Sequence, residues 1–182
     1  YIDDPRLVEY GSTTVYHLDI NCKNPNNPIC GSDNYRKAIY HAMNREVIAK
    51  ELFGHMEPAG WYVNSQAGLL SENALTYRES KYGKAVEEMV AGWSAEGSTT
   101  GYNPELALDY FNKACEECNV SEDTVINIII AYDPSDTAWH KTAQYIQQEF
   151  PVIFNNRVTV EIKNYSGIST TAYKQQGDDG WD

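Results

Sequence analysis

The run Val125-Ile-Asn-Ile-Ile-Ile-Ala-Tyr132 constrains the fold more than any other stretch of the chain. It is nearly continuous in apolar, mostly β-branched residues, the pattern of a strand buried on both faces. The turn Asp133-Pro-Ser-Asp136 follows. Trp139, Ala143, Ile146 and Phe150 then recur at steps of three and four, so the spacing predicts a helix over 135–150. Val158-Thr-Val-Glu-Ile-Lys163 alternates as a second strand. Residues 125–163 therefore make one βαβ unit. Parallel strands cannot be joined by a tight turn and need such a crossover, so the chain is α/β, with helices covering a sheet.

The remaining elements fit around that unit. Thr13-Thr-Val-Tyr-His-Leu-Asp-Ile20 reads as a strand, and a Pro- and Asn-rich loop spans 22–31. From Asn34 to Phe53 an apolar stripe runs through Ala38, Ile39, Ala42, Met43, Val47, Ile48, Leu52 and Phe53, and the pattern breaks at Asn44-Arg45-Glu46. Ser32 or Asp33 caps the first helical segment, Asn44 the second, and Gly54 ends it. The small residues Ala38 and Ala42 allow close packing on the sheet. Arg36 and Arg45 read as structural ion-pair formers. Glu57-Pro-Ala-Gly-Trp-Tyr-Val-Asn64 is a loop carrying two large aromatics.

A helix is expected from Lys84 to Trp93, ending near Gly97. Asn103-Pro104-Glu105 opens another, with Leu106, Ala107, Tyr110, Phe111 and Ala114 on its apolar face. A short helix is expected over 168–176, and a further strand beginning at Gly180-Trp-Asp182. The expected organisation is a single partial lobe. Residues 1–10 are a connector; 11–64 hold a strand, a helix pair and the Pro/aromatic loop. An uncertain helical insert spans 65–102, and 103–182 hold a helix, the βαβ unit and a short helix.

Acidic residues outnumber basic ones 26 to 14, for a net charge of −12. Nucleic acid binding rests on neutralising phosphates with Lys and Arg, so a nucleic-acid role is not expected. No apolar run approaches the roughly 20 residues of a membrane span. The chain opens on Tyr-Ile-Asp-Asp-Pro without Met or a signal segment, and reads as a mature fragment or an excised piece. The 14 Tyr and four Trp suit a surface that binds peptides or sugars, and equally a plain aromatic core.

Motifs for chemistry are absent. There is no P-loop, nucleotide-binding Gly motif, H-E-x-x-H or G-x-S-x-G. The histidines at 17, 41, 55 and 140 share no ligand spacing, and neither metal nor cofactor is called for. The four cysteines leave alternatives open. Cys22 and Cys30 are too far apart for a zinc knuckle, and two local disulfides, Cys22 with Cys30 and Cys115 with Cys118, fit an exported protein. Helical i,i+3 geometry strains the second pair. A redox-active Cys115/Cys118 pair would prefer the opposite end of a helix.

Tyr35-Arg36-Lys-Ala38-Ile39-Tyr-His-Ala42-Met-Asn44-Arg45-Glu-Val-Ile48 resembles the helical signature of the family 5 extracellular solute-binding proteins, the oligopeptide-binding components of ABC importers. There the pattern runs Val-Arg-x-Ala-hydrophobic-x-x-Ala-hydrophobic-Asp-Arg-x-x-Ile; Tyr35 stands for Val and Asn44 for Asp. Tyr16-His-Leu-Asp-Ile-Asn21, Glu57-Pro-Ala-Gly60, Tyr102-Asn-Pro-Glu-Leu-Ala107 and Ile128-Ile-Ile-Ala-Tyr132 resemble further family segments in the same order. So do Trp139 with Ile146-Gln147, Val158-Thr-Val-Glu-Ile162 and Gln176-Gly-Asp-Asp-Gly-Trp-Asp182.

The resemblance implies a lobe of a type II periplasmic-binding-protein-like fold, a mixed sheet flanked by helices. It implies a non-enzymatic receptor that closes two lobes about a hinge over a small peptide or other small solute and delivers it to an ABC permease. The chain would be part of the later lobe, its partner the other lobe of the parent chain. The protein would be extracellular, a cell-surface lipoprotein or periplasmic, held to the membrane only through a lipid anchor outside this sequence.

Carried over residue by residue, Lys174 matches a basic position that pairs with a peptide carboxylate. Trp139 and His140 lie near a family His that contacts longer peptides. Tyr16, His17 and Tyr165 fall near aromatic pocket positions, and Trp61 and Tyr62 either line the cleft or pin a loop. The competing readings are a thiol oxidoreductase or other exported enzyme using Cys115 and Cys118, and a surface binding protein without a transport role.

Overall fold

The computed structural model describes Pro5 and residues 13–54, 56–68, 75–164 and 181–182. At its centre β1 (Ile126–Tyr132) and β2 (Val158–Asn164) pair in parallel, in register from Ile126 opposite Val158 to Tyr132 opposite Asn164. The helix α5 (Thr137–Ile153) crosses between them and lies on both, as a parallel pair requires. Asp136 caps α5 through the Ala138 N–H. Asn155 and Asn156, at φ 51 and 61, turn the chain from α5 into β2; Asn tolerates this left-handed backbone better than most residues.

The other helices wrap this unit: α1 (Asp33–Ala42), α2 (Arg45–Val47), α3 (Lys81–Trp93) and α4 (Pro104–Glu117). Ser32 caps α1, Asn44 caps α2 and Asn103 caps α4, each accepting main-chain N–H groups. From α2 the chain continues as a π-helical turn, Ile48–Phe53, which stops at Gly54 with φ 79. The core lies between α1, α4, α5 and the strand pair. Tyr35, Phe111, Ile146, Phe150, Phe154 and Val158 are all fully buried there. Phe111 and Phe154 sit 4.8 Å apart by ring centroid, and Phe150 and Phe154 5.5 Å. Among the described residues, no helix is long and apolar enough to cross a membrane.

Several expectations are corrected. Residues 13–20 form no strand ladder with any described residue; their alternation places side chains but supplies no partner. β1 is not buried on both faces: Ile126, Ile128, Ile130 and Tyr132 are buried, whereas Asn127 is exposed and Ile129 and Ala131 are half-buried. Ala38 and Ala42 permit a close approach, but to α4 rather than to the sheet. α3 begins at Lys81, earlier than expected, because Ser80 accepts the Gly83 N–H. The connector over 1–10, apart from Pro5, and the helix expected over 168–176 lie outside the described residues.

All four cysteines are free thiols, where disulfides were expected. Cys30 is fully buried and its thiol donates to Asp182 Oδ1 at 3.6 Å. Burial first, then the neighbouring carboxylate, push that thiol far above its ordinary pKa. Cys22 is exposed and turned to the Ile20 carbonyl at 3.4 Å. Cys115 is buried and Cys118 half-exposed at the end of α4, at the strained helical spacing.

Asp182 also ties the end of the chain to β1. Its N–H donates to Ile129 O at 3.0 Å, its carboxylate accepts the Ile129 N–H at 2.6 Å, and the Asn24 amide donates to it at 2.8 Å. Alternate residues of a parallel strand bond to opposite sides. Because Ile126 donates toward β2 at Arg157, Ile129 and Asp182 lie on the far edge, where a further strand was expected to begin.

Two outcomes follow. Phe111→Ala should cost about 3–5 kcal/mol of stability in urea unfolding, the range for emptying a filled aromatic site. A maleimide should label Cys22 first in the native protein and Cys30 and Cys115 only on unfolding; oxidised pairs would leave no thiol to label.

Candidate functional site

A groove of about 1680 Å³ opens at the carboxyl end of β1, where residues 130–133 meet segment 14–20, the π-helical turn and the loop 56–65. Open α/β sheets place their ligand crevices at this end of the strands. The volume exceeds the roughly 300–1,000 Å³ usual for small-molecule pockets, so it has room for a ligand larger than a single small molecule.

Its walls are aromatic. Tyr16, Phe53 and Trp139 form a cluster with ring centroids 5.2–5.4 Å apart. At that spacing the rings touch one another, so the cluster is a wall and not a cage around a cation. Phe53 reaches it from the end of the π-helical turn, Trp139 from the first turn of α5. Tyr62 stands 5.2 Å from His17, whose Nε2 lies 3.2 Å from Asp19 Oδ1. Trp61 is packed at a tilt of 55° on Tyr77 at 5.7 Å, with the Arg78 guanidinium 5.2 Å over its ring.

Among the described residues three guanidiniums face the groove, and each already has partners. Arg36 pairs with Asp33 and donates to Gly31 O. Arg78 donates through Nε and Nη2 to Val63 O at 2.8 and 2.6 Å. Arg45 forms no ion pair among the described residues, contrary to expectation. Its Nη1 donates to the Tyr40, Met43 and Thr100 carbonyls at 2.9–3.3 Å, and its guanidinium lies 4.3 Å over the Tyr40 ring.

These contacts belong to a knot at the helix break. Glu46 accepts the Ser98 and Thr100 hydroxyls, both at 2.7 Å, and the Thr99 N–H at 3.1 Å. Burial pushes its carboxyl upward, but these hydrogen bonds outweigh burial and hold it below the ordinary value of 4.5. The Tyr40 hydroxyl donates to Gly60 O at 2.7 Å. His41 Nδ1 meets Gly101 O at 2.7 Å, and its ring stacks on Tyr110 with 7° between the planes. Gly101, at φ 87, leaves no room for a Cβ, which would sit 2.5 Å from the Tyr40 ring.

Of the residues singled out in the sequence, Tyr16, His17, Trp61, Tyr62 and Trp139 line the groove. His140 instead holds its Nδ1 3.0 Å from the Tyr132 hydroxyl. Tyr165 and Lys174 lie outside the described residues. Phe53 is one more residue of the apolar stripe in sequence, and its place beside Gly54, where the helix stops, is the local sign that it sits at an edge.

Residues 2–180 match the model of the bacterial extracellular solute-binding proteins, family 5 Middle. The chain belongs to this family. Two solved structures share its fold. One is the substrate-binding domain of an oligopeptide ABC transporter from Bacillus anthracis str. Ames, 16% identical over 75% of this chain, with a TM-score of 0.54. The other, from Clostridium difficile, is AppA, a protein assigned as peptide-binding, 18% identical over 78% of this chain, with a TM-score of 0.50. At such identities the likeness is one of fold: an α/β lobe of the type II periplasmic-binding-protein kind, as expected. The chain spans 23% of the length of each. A search of curated proteins finds no match.

The knot makes a prediction for this family 5 chain. A carboxyl whose folded pKa is depressed contributes stability that is present above the unfolded value, here 4.5, and lost as pH falls through the folded one. The thermal midpoint should therefore drop below about pH 4.5. Glu46→Gln should lose about 1–3 kcal/mol at neutral pH and show a flatter acid limb in midpoints measured across pH.

Proposed function

We propose that this chain is part of an extracellular receptor that captures an oligopeptide for an ABC importer. The observation that carries the reading is the groove: in a family 5 solute-binding chain it is roomy, carries an aromatic cluster in its wall, and is lined by guanidiniums already satisfied by protein. Such a surface favours a ligand held through its main chain and apolar side chains over one held by a charge clamp. Extended peptides are bound in this way with little dependence on sequence.

In this reading Tyr16, His17, Trp61 and Trp139 face the ligand, and His140 acts through Tyr132. Tyr165 and Lys174 remain candidates for the pocket and for a peptide carboxylate. Residues 1–182 are a single partial lobe. The second lobe of the parent protein closes over the ligand about a hinge, and the closed form is what the permease recognises. The receptor works outside the cell, held to the membrane by a lipid anchor.

The family supports a binding role rather than catalysis. A thiol oxidoreductase needs a thiolate stabilised below its ordinary pKa, and burial pushes the Cys115 thiol up.

Native mass spectrometry of the natural full-length protein should find co-purified peptides, and a peptide library should raise its melting temperature. Neither peptide nor shift would sink the peptide assignment. Peptide binding with no stimulation of a permease would favour a surface binding protein without transport.

A further inference from the structure

The loop between Gly60 and Val63 is held on both sides of one residue. At Gly60 the backbone is wedged into the knot: an added Cβ would meet Val90 Cγ1 at 2.5 Å and Thr100 O at 2.9 Å, and the carbonyl takes the Tyr40 hydroxyl at 2.7 Å. Trp61 is fixed by Tyr77 and the Arg78 guanidinium. The Val63 carbonyl takes both Arg78 donors, at 2.8 and 2.6 Å. Between these points Tyr62 is 68% exposed and opens onto the groove, with the His17 ring beside it at 5.2 Å.

An exposed tyrosine on a loop is ordinarily a solvated side chain with nothing to recognise. Here the backbone beneath it is already ordered, so a ligand that covers the ring orders little besides one side chain. A rigid aromatic presented on a fixed base gives large contact area at low entropic cost. We propose that Tyr62 is the specificity-determining residue of the groove, selecting an aromatic or large apolar side chain of a bound peptide, and that Tyr40 and Arg78 are its positioning residues. This rests on the peptide-binding reading above.

The test is calorimetric titration of the natural full-length protein with Ala-Ala-Ala and Ala-Phe-Ala. Wild type should prefer Ala-Phe-Ala by about tenfold, the size of one good aromatic contact. Tyr62→Ala should bring the two peptides to within about twofold. Tyr40→Phe and Arg78→Lys should each cut the preference to about threefold and add nothing once Tyr62 is Ala, because both act through it. A wild type that binds both peptides equally overturns the role of Tyr62 and leaves the peptide reading standing. Tyr40→Phe and Arg78→Lys weakening both peptides alike, with or without Tyr62, would reduce those residues to general support. Binding of neither peptide removes the peptide reading, and the role of Tyr62 falls with it.

Discussion

Two parallel strands joined by a helix leave that helix no choice of location, and the rest of the structure is arranged around the consequence. α5 must lie across β1 and β2, so its apolar face and one face of the strand pair are buried together. Phe154 follows its end, packed on Phe150 at one side and on Phe111 of α4 at the other. α4 in turn offers Ala107 and Ala114 to the small residues of α1. Each layer is placed by the one beneath it, which is why the core is continuous from β1 to α1 although these elements are far apart in sequence.

The break between α1 and α2 shows a different economy. A helix that stops leaves carbonyls without donors, and here Arg45 supplies them. One guanidinium satisfies three main-chain carbonyls and covers the Tyr40 ring. Lys would be a poor substitute: it lacks the planar face that lies on tyrosine and the fixed fork of donors. Next to it, Glu46 gathers residues 98–100 and Tyr40 holds Gly60. The helix break thus anchors two loops, and through Gly60 it sets where Trp61 and Tyr62 stand beside the groove.

Cys30 lies close in sequence to Cys22, yet its thiol is buried against Asp182, which also holds Ile129 and Asn24. Asp182 is 152 positions away in sequence, and folding brings its carboxylate to a buried donor that needs an acceptor. The bonds of the same Asp182 to Ile129 set Trp181 and Asp182 against the far edge of β1.

Local signals were enough for the elements themselves. The apolar run of β1, the helical spacing of α5, the caps Ser32, Asn44, Asn103 and Asp136, and the stop at Gly54 are all written in neighbouring residues, because capping and periodicity act over one or two turns. The family could be read as well, from motifs in order along the chain. Partnership could not. Whether residues 13–20 find a strand to pair with, whether Ala38 meets sheet or helix, whether Arg45 meets a carboxylate or carbonyls, and which aromatics face the groove all depend on groups brought together across the chain. Phe53 and Trp139 have the same apolar character as any core residue. Only the tertiary structure set them beside Tyr16 at the groove wall, because burial is a property of what packs above a side chain and not of the side chain itself.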